Sequence, residues 1–291
     1  MDDKQDRNEP TVSNDMMGLL RSCFRLEDQP MRVRNGSESP ESAPIYLVHP
    51  GAGMCFEYYR IGPLDRAVHA IQDPRMFSDA KDDWSCIEDM AEHYATIVLT
   101  SLPSPPSSGI ILGGYSFGGV VAFEMARRLS ERGDCAVRGV VLVDSPPPLN
   151  HIPLARDTIQ VAMATKHAHA AKKRPSEAAR FHEAIGALAV RNNLRRAALL
   201  GQYRPRREGA MPRVVLLRSS EGFMAVGHAL PENKWLHDRR DVKTSSDAWE
   251  QLVGAKIKVI DIPGDHFTPF EPGHIAETSQ AIRQACDMLD E

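Results

Sequence analysis

A serine in the middle of the chain lies between two glycines, in a pattern suited to covalent chemistry. Gly114-Tyr115-Ser116-Phe117-Gly118 has the form Gly-x-Ser-x-Gly, with an apolar run before it and a helical pattern after it. A nucleophilic serine must lie on a sharp turn from strand to helix, so that its hydroxyl projects towards a substrate. Glycine is needed two residues before and after, because the backbone segments there are pressed together. We therefore interpret Ser116 as the nucleophile of an acyl-transfer reaction.

The carboxylate that would support this serine is predicted at the end of the next apolar run. In hydrolases that carry their serine on such a turn, the acid follows the serine in the chain and the histidine comes last. Asp144 follows the run Val137–Val143 and precedes a proline-rich loop. Its role would be to hold an imidazole in one tautomer and to stabilise the imidazolium. Asp261 and Asp265, after a later strand, remain the alternative acids, and a loop-capping role for Asp144 is the structural alternative.

The general base is predicted in the loop that leaves the last strand. His266 lies in Ile257–Phe267, where a base can approach the Ser116 hydroxyl. His274 is the rival, but it lies at the predicted start of the terminal helix. Four other histidines are less suitable because they fall in a helical insertion or in a polar stretch: His167, His169, His228 and His237.

Backbone N–H groups are the predicted stabilisers of the oxyanion that forms during acyl transfer. The N–H of Phe117 lies at the start of the helix after the serine, where N–H groups are unpaired and the dipole is positive. A second donor is expected from the glycine-rich loop Val48–Met54, after the first strong strand. Either Gly51 or Ala52 can supply it. His49, in the same loop, is interpreted as structural.

The elements that must position these residues read as alternating strands and helices. Six short runs of β-branched and aliphatic residues lack polar alternation, as expected for strands buried on both faces. They are Ile45–Val48, Val68–Ile71, Ile110–Leu112, Val137–Val143, Val214–Leu217 and Ile257–Ile260. Helical patterns lie between several of them, for example at 84–102 and 117–131. This order predicts the α/β class, specifically an α/β-hydrolase fold with a mostly parallel sheet and helices on both faces.

Two segments depart from the alternation. Residues 149–211 contain helical patterns and no strand-like run, which predicts a helical lid inserted between two strands; a plain surface extension is the alternative. Residues 1–43 are largely polar, with a turn-forming stretch at 34–43, and we expect a flexible linker there. The predicted hydrolase domain is therefore 44–291.

Composition narrows the class of protein further. Hydrophobic residues are 42% and charged residues 25% of the chain, the net charge is −4, and no run is apolar enough to span a membrane. The first 30 residues do not resemble a secretory signal. Five scattered cysteines favour reduced thiols, so we expect a cytoplasmic protein. The net charge gives no argument for nucleic-acid binding, and we expect none. Neither an HExxH motif nor a P-loop is present, and we expect no cofactor or metal.

The motifs together resemble the thioesterase domains of polyketide and nonribosomal peptide synthetases. The resemblance runs from about Pro44 to the end of the chain and is most specific at Gly114–Leu129, with further matching blocks at Leu142–Ser145 and Gly264–Phe267. The loop His-Pro-Gly-Ala-Gly is most similar to the terminal domains of fungal iterative polyketide synthases. The resemblance implies Asp144 as the acid, a helical lid after it, and a phosphopantetheinyl thioester on an acyl carrier protein as the substrate.

This family implies a two-step reaction through an acyl-serine. Attack by water would then release a free acid, whereas an internal hydroxyl or carbon would give a lactone or ring, and a hydroxyl of another chain an ester. Two other functions remain open: a carboxylesterase or lipase acting on free esters, and a silent module that only docks on a carrier protein. A silent module would not need to keep Ser116, Asp144 and His266 together.

The predicted lid is unusually basic. Between 150 and 210 there are twelve Arg and Lys residues and four acids, a net charge of +8. Because carrier proteins are commonly acidic and phosphopantetheine carries a phosphate, this surface could steer docking. An ordinary solvated helix face is the alternative. Replacing Lys172, Lys173 and Arg174 with glutamate is expected to raise the apparent KM for a carrier-bound substrate at low salt.

Overall fold

The strands form a single sheet in the part of the chain that the structure describes. The computed structural model describes residues 12–24, 26, 29–36, 42–102, 106–171, 176–223 and 233–291, without the side chains of 14, 164–171 and 176–178. Its strands are β1 (Met31–Arg34), β2 (Ile45–Val48), β3 (Val68–Ile71), β4 (Ile110–Tyr115), β5 (Val137–Val143), β6 (Val214–Ser219) and β7 (Lys258–Ile262). They are ordered β1-β3-β2-β4-β5-β6-β7, with β1 antiparallel to β3 and the others parallel. The predicted α/β class is confirmed.

Helices cover both faces of this sheet, as predicted. They are α1 (Asn14–Cys23), α2 (Ile87–Ser101), α3 (Phe117–Arg132), α4 (Arg156–Ala171), α5 (Ser176–Gln202), α6 (Lys234–His237), α7 (Lys243–Val253) and α8 (Ile275–Asp290). Alternate residues of a strand point to opposite faces. Accordingly Tyr46 and Val48 pack with α2, α3 and α7, whereas Ile45 and Leu47 pack with α8. None of the helices in the described ranges is both long and apolar enough to cross a membrane.

The order of the strands brings several loops to one edge of the sheet. β2, β4, β5, β6 and β7 are parallel, so their carboxyl ends share that edge. In an open α/β sheet this is the edge at which ligands bind. The segments that follow β2, β4, β5 and β7 carry Gly51, Ser116, Asp144 and His266, respectively.

The segment between β5 and β6 is helical, as predicted. Helices α4 and α5 pack on each other, and apolar residues of both join a cluster with the loop after β2. In that cluster Ile159 and Leu188 contact a group that includes Met54 and Met76. The insertion therefore lies over the edge that carries the candidate site. Its role as a lid stays a prediction.

The N-terminal segment corrects the predicted linker. Residues 14–23 form α1, which packs against α5, and 31–34 form the edge strand β1, paired with β3. The Ser13 side chain caps α1 by accepting a hydrogen bond from the N–H of Met16 at 3.3 Å, and Leu20 is fully buried. A linker through residue 43 is therefore wrong for these two stretches. The low overall hydrophobicity concealed an amphipathic helix whose apolar stripe binds the insertion.

Two neighbouring leucines test whether α1 belongs to the folded domain. Leu20 is 0% exposed and Leu19 is 45% exposed. We expect Leu20→Ala to lower the free energy of unfolding by about 2–5 kcal/mol because it leaves a cavity. Leu19→Ala should change it by less than about 0.5 kcal/mol. Urea unfolding of both variants measures this, and equal effects would show that α1 does not dock as described.

Candidate active site

Three side chains from separate loops form one hydrogen-bonded chain. The Oγ atom of Ser116, after β4, is 3.0 Å from Nε2 of His266, in the loop after β7. Nδ1 of the same imidazole is 2.8 Å from Oδ2 of Asp144, after β5. With Asp144 ionised, Nδ1–H donates to the carboxylate, which leaves Nε2 to accept from the serine hydroxyl. The structure thus brings together the three residues that the sequence analysis proposed, in the arrangement needed for nucleophilic catalysis.

The backbone at Ser116 adopts the sharp turn that its proposed role requires. Its φ is 56° and its ψ is −124°, a conformation that is strained for any residue other than glycine. The Ser116 N–H donates to the Val143 carbonyl at 2.9 Å, which ties the turn to β5. A Cβ atom on Gly118 would lie 2.3 Å from the Val48 carbonyl oxygen, and one on Gly114 would lie 2.3 Å from the Gly118 carbonyl carbon. The predicted close approach at both glycines is confirmed.

A tyrosine hydroxyl joins this turn to the glycine-rich loop. The Tyr58 hydroxyl donates to the Val48 carbonyl at 2.5 Å and accepts from the Tyr115 N–H at 2.9 Å. One buried side chain therefore fixes the end of β2 relative to the end of β4. Sequence reasoning missed Tyr58, because no spacing rule connects it with the serine motif.

The loop after β2 carries N–H groups that have no acceptor among the described residues. The Gly53 N–H donates to the Pro50 carbonyl at 2.9 Å, which closes a turn with Gly51 and Ala52 at its centre. Within the described ranges, the N–H groups of Gly51, Ala52 and Phe117 have no acceptor. All three residues line the same pocket as Ser116. They meet the requirement for oxyanion donors, and that role stays a proposal.

A buried polar network around His49 supports the loop after β2. His49 is fully buried, with Nδ1 2.7 Å from the Pro50 carbonyl and Nε2 2.7 Å from the Tyr94 hydroxyl. Burial lowers the pKa of His49 despite the Asp73 carboxylate 4.0 Å away, so the ring is neutral near pH 7. These contacts agree with the structural role expected for His49. The ring braces the carbonyl that closes the turn.

An arginine of the insertion completes this network. Nη2 of Arg196, on α5, lies 2.6 Å from Asp73 and 2.8 Å from Asp83. Burial is the largest influence on Asp73 and would raise its pKa, but Arg196 and the other polar groups around the carboxylate together outweigh burial and lower the pKa. Because the three side chains are almost fully buried, this ion pair anchors α5 to the loop that holds the candidate oxyanion donors.

A second arginine clamps the candidate acid. Nη1 and Nη2 of Arg239 each lie 2.8 Å from a carboxylate oxygen of Asp144, and the Ser219 N–H donates to the same carboxylate at 2.9 Å. Burial would raise the pKa of Asp144, but the charge of Arg239 and the bond to His266 outweigh it and hold the pKa well below its ordinary value. Asp144 is therefore ionised when it holds His266. Arg239 was missed, because nothing in its local sequence separates it from a surface arginine.

The alternative acids and the alternative base are engaged elsewhere. Asp261 is half exposed and pairs with Arg218 at 2.8 Å. Asp265 accepts from the N–H of the residue after His266 and from Thr268. Nδ1 of His274 is 3.0 Å from the Thr268 carbonyl. None of these groups takes part in the hydrogen-bonded chain at Ser116.

The hydrogen-bonded chain opens into a largely apolar pocket. The insertion supplies aliphatic lining residues, namely Leu154, Ile159, Met163 and Leu200. Trp235 and Phe267 make T-shaped contacts with the His266 ring, with centroids 5.0 Å and 4.9 Å away. Among the described residues, no cluster of side chains is arranged to ligate a metal ion. The pocket is suited to the apolar body of an acyl chain whose carbonyl lies at Ser116.

Two adjacent arginines test the clamp on Asp144. Arg239→Met removes the buried cation and leaves the Asp144 charge without its partner, so we expect a loss of about 3–5 kcal/mol in the free energy of unfolding. Arg240 is 92% exposed and, in the described part of the chain, its side chain bonds only Asp238, so Arg240→Met should leave the urea midpoint nearly unchanged. Equal midpoints for the two variants would contradict the clamp.

The lowered pKa of Asp144 also predicts how stability depends on pH. Its contribution is complete above the ordinary aspartate pKa of about 4 and is lost as the pH falls, because the unfolded chain takes up the proton first. Arg239→Met should reduce this loss. Urea titrations of both proteins between pH 6 and pH 3 measure the difference, and identical pH slopes would argue against it.

Comparison with known proteins agrees with the geometry. A family model described as the thioesterase domain matches residues 43–283. An orsellinic acid synthase of Beauveria bassiana is 36% identical over 93% of this chain, and the orsellinic acid synthase ArmB of Armillaria ostoyae is 34% identical over 100% of it. The chain spans only 13% and 12% of the length of these relatives. A probable thioesterase of Glarea lozoyensis, gloN, is 25% identical over 88% of this chain and 94% of its own length.

Solved structures lead to the same family. The thioesterase domain of NocB, in covalent complex with a fluorophosphonate nocardicin G analogue, is 29% identical and has a TM-score of 0.60, covering 84% of this chain and 95% of its own. The four-domain nonribosomal peptide synthetase AB3403 shares the fold, with a TM-score of 0.63 at 21% identity over 92% of this chain and 21% of its own. The chain therefore belongs to the thioesterase domain family of polyketide and nonribosomal peptide synthetases.

Proposed function

We propose that this domain releases an acyl chain from the phosphopantetheine of a carrier protein through an acyl-serine at Ser116. The observation that carries the proposal is the continuous chain from Ser116 to His266 to Asp144 at the mouth of an apolar pocket. Membership of the thioesterase family supports a thioester as the bond that is cleaved.

In the first half-reaction, His266 takes the proton of the Ser116 hydroxyl as its Oγ attacks the thioester carbonyl. The carbonyl oxygen becomes an oxyanion, which the N–H groups of Phe117 and of Gly51 or Ala52 stabilise. One such donor is typically worth about 3–4 kcal/mol in the transition state. The tetrahedral intermediate collapses, the C–S bond breaks, and His266 returns the proton to the departing thiolate. Asp144 stabilises the imidazolium throughout.

In the second half-reaction, His266 activates the nucleophile that cleaves the acyl-serine. Water gives a free acid, whereas a hydroxyl of the same acyl chain gives a lactone and regenerates Ser116 in the same way. The insertion lines the pocket beside the ester, so we propose that it acts as the lid that controls access of water. The mass of the released product distinguishes hydrolysis from ring closure, which differ by one water.

The carrier partner follows from the architecture of the relatives. Two of them are synthases of which this chain spans 12–13%, so we infer a carrier protein in cis or in trans. Part of the positive charge of residues 150–210 is not available to a carrier protein. Arg191 and Arg196 are buried, and Arg195 donates to the Ser78 carbonyl. The cluster Lys172 to Arg174 lies outside the described residues, and its role in docking stays a prediction.

Intact-protein mass spectrometry tests the nucleophile. After incubation with an acyl-N-acetylcysteamine thioester, we expect an adduct of the acyl mass on the native protein and none on Ser116→Ala. The matched control is Ser101→Ala, an exposed serine that should acylate like the native protein. His266→Ala should slow acylation by at least about 10³-fold, because Ser116 loses its base.

The same experiment separates the alternatives. Acylation by free esters with no reaction towards thioesters would instead favour the carboxylesterase or lipase function. No adduct from either class, with several acyl lengths, would favour a silent docking module.

A further inference from the structure

One asparagine of the insertion bonds the backbone of the loop that carries the candidate oxyanion donors. Asn192, on α5, is 1% exposed, and its Nδ2 donates to the Ala52 carbonyl at 3.0 Å and to the Met76 carbonyl at 3.1 Å. Its Oδ1 accepts from Nε of Arg191 at 3.3 Å. Because the arginine can only donate, Oδ1 has to face it, and Nδ2 is left to face the two carbonyls.

The Ala52 carbonyl belongs to the peptide group that closes the turn after β2. In the same peptide group the Gly53 N–H donates to the Pro50 carbonyl at 2.9 Å. The carbonyl and the N–H of a planar trans peptide point in opposite directions, so Asn192 and Pro50 hold this peptide from its two sides. The turn so held sets the direction of the N–H groups at its centre, those of Gly51 and Ala52.

The glycines of this loop allow α5 to approach it closely. A Cβ atom on Gly51 would lie 2.4 Å from Oδ1 of Asn193, and one on Gly53 would lie 3.5 Å from Nδ2 of Asn192. Two consecutive asparagines of the helix therefore lie against the two glycines that flank Ala52. A side chain at residue 51 would push the helix away and lengthen the bond from Asn192 to the Ala52 carbonyl.

The other polar anchors of α5 bind a different part of the chain. They bond the segment 73–83, after β3, and are Arg191, Arg195 and Arg196. The Met76 carbonyl also accepts from Nη2 of Arg191 at 2.8 Å, so it keeps a donor without Asn192. Within the described ranges, Asn192 is the α5 side chain that donates to the turn itself.

We propose that Asn192 is a positioning residue for the oxyanion, which it serves by orienting the turn that carries the N–H groups of Gly51 and Ala52. This inference rests on the proposed function, in which these groups stabilise the charge that develops at the ester of Ser116. Such donors are effective when they are fixed before the charge develops, because no reorganisation is then needed in the transition state. The insertion therefore completes the oxyanion site as well as lining the pocket.

A pair of ketones measures oxyanion stabilisation separately from binding of the acyl chain. With octyl trifluoromethyl ketone, Oγ of Ser116 adds to the carbonyl carbon, the carbonyl π electrons move to the oxygen as an oxyanion, and the hydroxyl proton passes to His266. Octyl methyl ketone has the same chain without the activating fluorines, and it reports ground-state binding. Fluorine NMR detects the adduct, which Ser116→Ala should not form.

Replacing Asn192 should weaken the adduct selectively. Asn192→Leu removes the donor at similar volume, and we expect a loss of about 10- to 100-fold in affinity for the trifluoromethyl ketone, because a misplaced donor loses much of its effect. Acylation by an acyl-N-acetylcysteamine thioester in a single turnover should slow to a similar extent. Affinity for the methyl ketone should change by less than about 3-fold, since this ligand carries no oxyanion. Asn192→Asp, which also lacks the donor, replaces Asn192→Leu if that variant does not fold.

Arg195→Met is the matched control for a general loosening of α5. It removes bonds to the Ser78 carbonyl and to Asp83 and leaves the bond to Ala52 in place. Arg195 does not line the acyl pocket. We expect both ketones to bind within about 2-fold of the native affinity, even where the urea midpoint falls.

Three results would overturn the positioning role. They are an unchanged affinity of Asn192→Leu for the trifluoromethyl ketone, equal losses for the two ketones, or the same selective loss in Arg195→Met. The proposed function fails by a different observation: a native protein that forms the ketone adduct but no acyl adduct from thioesters. In that case a selective loss in Asn192→Leu would still support the positioning role, so the two proposals can fail separately.

Discussion

The buried negative charge of Asp144 is the constraint on which the candidate site depends. A carboxylate removed from water is costly unless cations and hydrogen bonds compensate it. Here Arg239 binds both oxygens, the Ser219 N–H adds a further bond, and the remaining capacity orients His266. Because β6 supplies Ser219 and the chain after α6 supplies Arg239, the charge ties three distant segments to one point. The imidazole is thereby held 3.0 Å from the Ser116 hydroxyl.

A second buried charge, that of Asp73, fixes the loop that carries the candidate oxyanion donors. Asp73 lies below the loop after β2 and pairs with Arg196 from the insertion, close to the neutral ring of His49. The loop and the insertion are thereby fixed relative to each other. Two ion pairs, one on each side of Ser116, hold the groups that would move protons and the groups that would stabilise the oxyanion. Neither pair contacts the other, so each half of the site can be perturbed separately.

The pocket connects this geometry to the choice of substrate. Aliphatic side chains of the insertion form one wall, and aromatic rings beside His266 form another. An apolar wall binds a chain without strong discrimination, whereas a polar group left unmatched discriminates by its need for a partner. Both walls are largely apolar, so the pocket favours an apolar acyl body beside Ser116.

Local sequence predicted strands β2 to β7, the turn at Ser116 and the candidates for the hydrogen-bonded chain, while the resemblance to a family favoured Asp144 over Asp261 and Asp265. β2, β3 and β5 have the bounds that their apolar runs predict, because strands buried on both faces have to be continuously apolar. Gly114 and Gly118 predicted the turn, because the close approach of the backbone there leaves no room for a larger side chain. Only the tertiary structure placed Arg239, Arg196, Tyr58 and α1. Their partners lie far away in sequence, and a long-range ion pair or a helix docked on an insertion leaves no periodicity in the chain.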